Sequence, residues 1–192
     1  MSRMDYLERY LTESADVLQR LPVAGIDGII QALVDALEAE RFIYVMGNGG
    51  SAANAEHFVN DLGKGDGKGF PRRFKIMGLT SNVPLMTAWA NDTDYGHVFA
   101  EQLRNFVARG DVVMALSGSG NSRNVLTALE LARERGAVTV GLSGFDGGEL
   151  KRLCDHCVIV PSNNMQHIED MHLVVLHAVY CAIRDTHLAR AE

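Results

Sequence analysis

Two short runs of small polar residues, with a set of histidines and carboxylates, hold the chemistry this chain could perform. Gly47-Asn48-Gly49-Gly50-Ser51 follows an apolar run, Phe42 to Met46, that reads as a buried strand, and it opens a helix carrying Ala52, Ala53 and Ala55. A strand, a tight glycine turn and a helix start together present backbone N–H groups to an anion. Ser51 is expected to be the N-cap. One turn further on, His57 and Asp61 stand at i and i+4, so both side chains leave one face of the helix. That spacing suits two metal ligands or an acid–base pair, and equally a helix pair with no metal. The second run, Ser117-Gly118-Ser119-Gly120-Asn121-Ser122, offers three hydroxyls and the free N–H groups of a helix start. These can hold a phosphate without a cationic side chain; an ordinary serine-rich turn is the plainer alternative. The lysine-bearing phosphate loop is absent. The dinucleotide fingerprint is also incomplete, because Gly47 to Ala52 lacks its last glycine, so nucleotide chemistry is disfavoured.

The elements that must position these runs follow from the hydrophobic pattern. Residues 3–21 form an amphipathic helix ended by Pro22, and residues 26–39 repeat the pattern. The apolar surface of this helical pair requires a cover, either a partner subunit or the chain's own sheet. Apolar strands are expected at Phe42–Met46, Phe74–Leu79, Asp111–Leu116, Ala137–Leu142 and Cys157–Val160. Helices are expected between them at 82–90, 97–107, 122–135 and 149–154, with a long final one at 165–186. Gly63 to Gly69 and Asn91 to Gly96 read as polar loops. Five apolar strands alternating with helices describe a three-layer αβα sandwich on a parallel sheet. Ligands in that class sit beyond the carboxyl ends of the strands, where the strand order reverses, which brings residues 47–51 and 117–122 together.

Composition narrows the function. The chain has 192 residues and a net charge of −6, with no lysine or arginine cluster. Nucleic acid and an anionic membrane surface are therefore not expected partners. The first residues carry no apolar h-region, no apolar run approaches a membrane span, and three cysteines suggest no disulfide framework. The cytoplasm is the expected compartment. Cys154-Asp155-His156-Cys157 lacks a second pair for a closed zinc site, so its thiols read as packing. His97, His156 and His187 read as surface or structural residues. His172 and His177 are five apart, roughly 140° around a helix, so they cannot share one site.

The two loops, Gly47 to Phe58 and Ser117 to Ser122, resemble those of the sugar isomerase (SIS) domain, in the branch of the sedoheptulose-7-phosphate isomerases. The resemblance spans nearly all of the chain, including Ala90-Asn91-Asp92 and the Gly144–Gly148 turn. It implies one flavodoxin-like SIS domain over 1–192, with an N-terminal helical hairpin at 1–40 engaged in oligomer packing and an α/β core at 41–192. It implies a homotetramer with active sites at subunit interfaces, and isomerisation of a small phosphorylated sugar through an enediol. Carried over by motif, Ser51, Ser117, Ser119 and Ser122 would hold the phosphate, and Asn48, Gly49 and Asp92 would contact the sugar. His57, Asp61, Glu169 and His177 would form the metal cluster, with zinc as the expected ion. Asp61, Glu169 and His177 would carry catalysis.

Two of those positions depart from the family's pattern. Asp61 is one methylene shorter than the usual glutamate, and Glu169 replaces a neutral glutamine. Two carboxylates and two neutral imidazoles balance a divalent zinc. The expectation is that Asp61 is chiefly a ligand and that Glu169 shares or takes the base role. A non-catalytic SIS relative that binds proteins or phosphosugars, such as a replication-initiator-associating one, and an isomerase of another sugar phosphate remain as alternatives. His177 favours catalysis.

Overall fold

The computed structural model describes residues 1–65 and 72–188. Two helices lead, α1 (Arg3–Gln19) and α2 (Val23–Glu38). Five strands follow: β1 (Phe42–Gly47), β2 (Lys75–Gly78), β3 (Val112–Leu116), β4 (Val138–Ser143) and β5 (His156–Ile159). Between and after them come α3 (Gly50–Lys64), α4 (Val83–Asp92), α5 (Ala100–Arg104), α6 (Arg123–Glu134), α7 (Leu150–Leu153) and α8 (Met165–Ile183). The strands form one sheet in the order β2-β1-β3-β4-β5, every pair parallel. The expected three-layer α/β sandwich is therefore present. Its order reverses between β1 and β3, which places the two expected loops side by side at their carboxyl ends.

Each face of the sheet has its own core. On one, Ile43, Val45, Val112, Met114, Val140 and Val158 pack against Ile29, Leu33 and Leu37 of α2, Phe58 and Leu62 of α3, and Val175 and Val179 of α8. On the other, Tyr44, Met46, Val113 and Ala115 meet Phe99, Leu103, Val125, Leu129 and Leu150. The alternation along β1 and β3 sends successive side chains to opposite layers, so a strand covered on both sides reads as apolar throughout. Burial pushes the Tyr44 phenol up to about 12.

The leading helices divide. α2 lies on the chain's own sheet, with Ile29 and Leu33 fully buried. α1 buries only Val17 and leaves Met4, Tyr6, Leu7, Leu11 and Leu18 exposed. Ser2 opens α1 with a capping box, accepting from Asp5 N–H while the Asp5 carboxylate accepts from Ser2 N–H. Tyr10 donates to Asp170 of α8 at 2.7 Å.

Several boundaries shift from expectation. The segment expected to be helical at 97–107 holds a 3₁₀ turn at Tyr95–His97 and a short α5. α4 extends through Asp92, and α3 runs to Lys64, into the expected polar loop. Residues 66–69 of that loop lie outside the described residues. Among the described residues no single helix is long and apolar enough to cross a membrane; α1 and α2 pass that test only as a pair bent by 65°.

Candidate active site

Ser51 is not the N-cap of α3. Gly49 occupies that position with φ +55°, a backbone region that an L side chain rarely adopts. The strand turns so tightly that a Cβ on Gly47 would lie 2.6 Å from the Ser51 carbonyl carbon. Ser51 thus falls inside the first turn, 4% exposed, under the N–H groups that a helix start leaves unpaired.

The serine loop meets this corner across the switch point. Asn48, Ser51, Ser117, Gly118, Ser119, Ser122, Met165 and Glu169 line a pocket of about 130 Å³. Ser122 is the N-cap of α6, yet its hydroxyl makes no cap bond; it lies 3.1 Å from the Ser117 hydroxyl. Ser119 Oγ accepts from Asn121 N–H at 3.2 Å. Among the described residues the amides of Gly118, Ser119 and Ser122 donate to no backbone carbonyl. A small pocket with unspent amides, four hydroxyls and two helix starts has the chemistry to hold a phosphate.

A second cluster lies further along the same helices. His57 and Asp61 leave one face of α3, with Nε2 3.4 Å from Oδ2. His177 of α8 brings its Nε2 to 3.1 Å from that of His57 and 3.8 Å from Asp61 Oδ2. One ligand atom from each of the three lies within 4.8 Å of the others. Two ring nitrogens facing each other beside a carboxylate form a donor set suited to a divalent ion such as zinc, with room for a further ligand. The set is open: the side chains of His57 and His177 are 45% and 47% exposed.

Glu169 does not join that cluster within one chain. It lies eight residues before His177, about 12 Å along the helix. Its carboxylate rests on the first turn of α3, 2.7 Å from where a Gly50 Cβ would be, and it lines the serine pocket. Asn54 Nδ2 donates to its backbone carbonyl at 3.0 Å, tying α3 to α8. Asp92 also stands apart. It ends α4, exposed, accepting from Asn91 Nδ2 at 2.9 Å, and is not among the pocket's lining residues.

Three further residues escaped sequence reasoning. Asn124 and Asn48 form a reciprocal amide pair, and Tyr95 donates its hydroxyl to Asn48 Oδ1 at 3.1 Å. Met165 lines the pocket. The only signal for Asn124 was its place just past the serine loop. Buried His172 approaches the Ser143 carbonyl with its Nε2 at 3.2 Å, and burial pushes its imidazole down to about 4. It therefore packs α8 against β4, as the helix phase implied. Of the CxxC thiols, Cys154 is pushed up, chiefly by its hydrogen bond with Cys157 and by burial; Cys157 is pulled down by that same bond.

Comparison with known proteins agrees with this fold. The SIS domain family matches residues 9–144. The phosphoheptose isomerase of Rhodospirillum rubrum is 37% identical over 188 residues, covering 94% of this chain and 97% of the relative. That of Citrifermentans bemidjiense is 41% identical over 155 residues, 81% of this chain and 80% of the relative. The solved phosphoheptose isomerase of Neisseria gonorrhoeae superposes with a TM-score of 0.88 at 28% identity, covering 96% of this chain and 100% of that one. The chain belongs to the SIS domain family, in the branch of the phosphoheptose isomerases.

Proposed function

We propose that this protein is a cytoplasmic aldose–ketose isomerase that converts sedoheptulose 7-phosphate into D-glycero-D-manno-heptose 7-phosphate. The observation that carries the reading is the meeting of His57 and His177, 120 residues apart in sequence, at 3.1 Å on the two helices that also border the serine pocket. Ser51, Ser117, Ser119 and Ser122 hold the phosphate with the loop amides, while Asn48 and the Gly49 turn face the sugar. Asp92 is placed too far out to line the pocket as the chain stands and would reach sugar only from its outer rim.

Moving a hydrogen between neighbouring carbons requires a group that takes the C–H proton and one that serves the oxygens. Glu169 takes and returns the carbon proton, and His177 protonates and deprotonates the adjacent oxygen. His57 and Asp61 would hold zinc, with His177 completing the set when its Nε2 is not serving the oxygen, since one nitrogen cannot do both at once. When bound, zinc supplies a positive charge that polarises the sugar carbonyl.

The two halves of this machinery meet between subunits of a homotetramer. In support, Val174 and Ala178 are exposed on the flank of α8 beside His177, and Leu173, half-buried, lies one turn from Glu169 and one turn from His177. A two-fold axis beside Leu173 would set Glu169 of one copy against the cluster of another, since an isologous contact pairs each patch with itself. The exposed apolar stripe of α1, Leu7, Leu11 and Leu18, would complete the assembly.

Incubation with sedoheptulose 7-phosphate, with and without a zinc chelator, tests the activity. An aldose phosphate product that fades on chelation is expected; no aldose under either condition refutes the reading. Glu169→Gln with undiminished turnover would remove Glu169 as the base. Mixing Glu169→Ala with His177→Ala chains tests the shared site. Random reassembly restores about a quarter of wild-type activity if each site draws on two chains, and none if each site is built from one.

A further inference from the structure

Asn48 is the side chain in the serine pocket whose hydrogen bonding is the most completely determined. Its partner Asn124 is 3% exposed, at the second residue of α6. Asn124 Oδ1 accepts from the backbone N–H of Val125 at 3.0 Å. A backbone nitrogen only donates, so the atom facing it must be the amide oxygen. That settles which way the Asn124 amide points. Its Nδ2 then donates to Asn48 Oδ1 at 2.9 Å, and Asn48 Nδ2 donates back to Asn124 Oδ1 at 2.9 Å. The orientation of Asn48 follows in turn. The Tyr95 hydroxyl takes the second lone pair of Asn48 Oδ1 at 3.1 Å. The oxygen of Asn48 is thereby fully used. One Nδ2 hydrogen is used as well, and among the described residues the other has no acceptor.

We propose that Asn124 is a positioning residue that locks Asn48 so that an N–H, and not a carbonyl oxygen, faces the ligand. The group it serves is an oxygen lone pair, on a sugar hydroxyl or carbonyl. This rests on the isomerase reading for its substrate, though the locking itself follows from the hydrogen bonds alone. Without Asn124, Asn48 can turn its amide over and present its oxygen, losing the donor and setting two acceptors against each other. Asn124 is buried behind Asn48 and does not line the pocket, so any effect on the ligand passes through Asn48.

A double-mutant cycle on the full chain separates this from a structural role. Asn124→Ala is expected to raise KM for sedoheptulose 7-phosphate about tenfold with kcat within about twofold, as for a lost neutral hydrogen bond. Asn48→Ala should do at least as much. The double variant should be no worse than Asn48→Ala, because the group through which Asn124 acts is gone. Two independent effects would instead multiply, and a loss of folding alone would lower the apparent kcat with KM unchanged; either result in Asn124→Ala or the double variant overturns the proposal. Asn124→Asp is a second arm should the alanine variant not fold. It keeps the acceptor for Val125 and for Asn48 Nδ2, sets a second acceptor against Asn48 Oδ1 in place of the donor and adds a negative charge, so a rise in KM of at least the same size is expected. If the wild-type chain binds sedoheptulose 7-phosphate without turning it over, the isomerase reading falls and the cycle is read on Kd by calorimetry. A wild-type chain that neither binds nor converts it overturns both.

Discussion

The serine pocket and the histidine cluster share two helices and differ in almost everything else. The pocket is built largely from backbone: two helix starts, a glycine corner and hydroxyls, with Ser51 and Ser117 each 4% exposed. The cluster is built from side chains alone, two of them nearly half exposed. Backbone amides are held by the sheet and need no second support. Imidazoles on a helix face have only their neighbours, and here a single 3.1 Å approach joins them. The pocket is thus complete within one chain, while the imidazoles of the cluster remain open to solvent.

Changes confined to one region should spare the other. The largest effect belongs to the cluster. His177→Ala should lower kcat by about 10²- to 10⁴-fold, the usual contribution of a positioned acid or base, while calorimetric Kd for inorganic phosphate stays within about twofold. Phosphate binding that collapses together with turnover would show that the two regions are one unit.

The next effect concerns the helix that carries residues of both. His172 locks α8 to β4 and is held neutral by burial, its imidazole pushed down to about 4, with the Ser143 carbonyl pulling weakly the other way. The unfolded chain takes up a proton below about pH 6.5. The native chain resists until about 4. The stability from a neutral His172 is therefore complete above pH 6.5 and lost as pH falls towards 4, by about 3 kcal/mol in all. Denaturant titrations across that window should show the slope, and His172→Gln should flatten it.

In the pocket, Ser119→Ala should weaken phosphate binding about tenfold, as for one lost hydrogen bond to an anion, with zinc uptake by the cluster unchanged in a metal-binding assay. The smallest effect is expected at Tyr10→Phe. Its bond to Asp170 pushes the phenol up to about 12 and is exposed, so unfolding free energy should fall by no more than about 1 kcal/mol and kcat should not move.

What could be read from the chain in advance was local or periodic. Alternating apolar strands and helices implied the parallel sheet, and the strand-end loops implied an anion pocket, because both depend on sequence neighbours and on a topological rule. The i, i+4 spacing of His57 and Asp61 put them on one face of α3. The N-cap was misplaced because the choice between Gly49 and Ser51 turns on a positive φ, which residue type alone does not reveal. The leading helices looked alike in pattern, yet one is core and the other surface, since amphipathicity shows that a face is apolar and not what covers it.

Sequence by itself thus determined the fold class, the position of the two small-residue loops at the strand ends and the inventory of titratable side chains, all matters of pattern along the chain. Only the tertiary structure decided that Glu169 sits with the pocket while His177 sits with His57, that Asp92 stands outside, and that Asn124 and Tyr95 hold Asn48. Each depends on which turn of one helix faces which turn of another, a distance set by packing across the sheet and not by the number of residues between them.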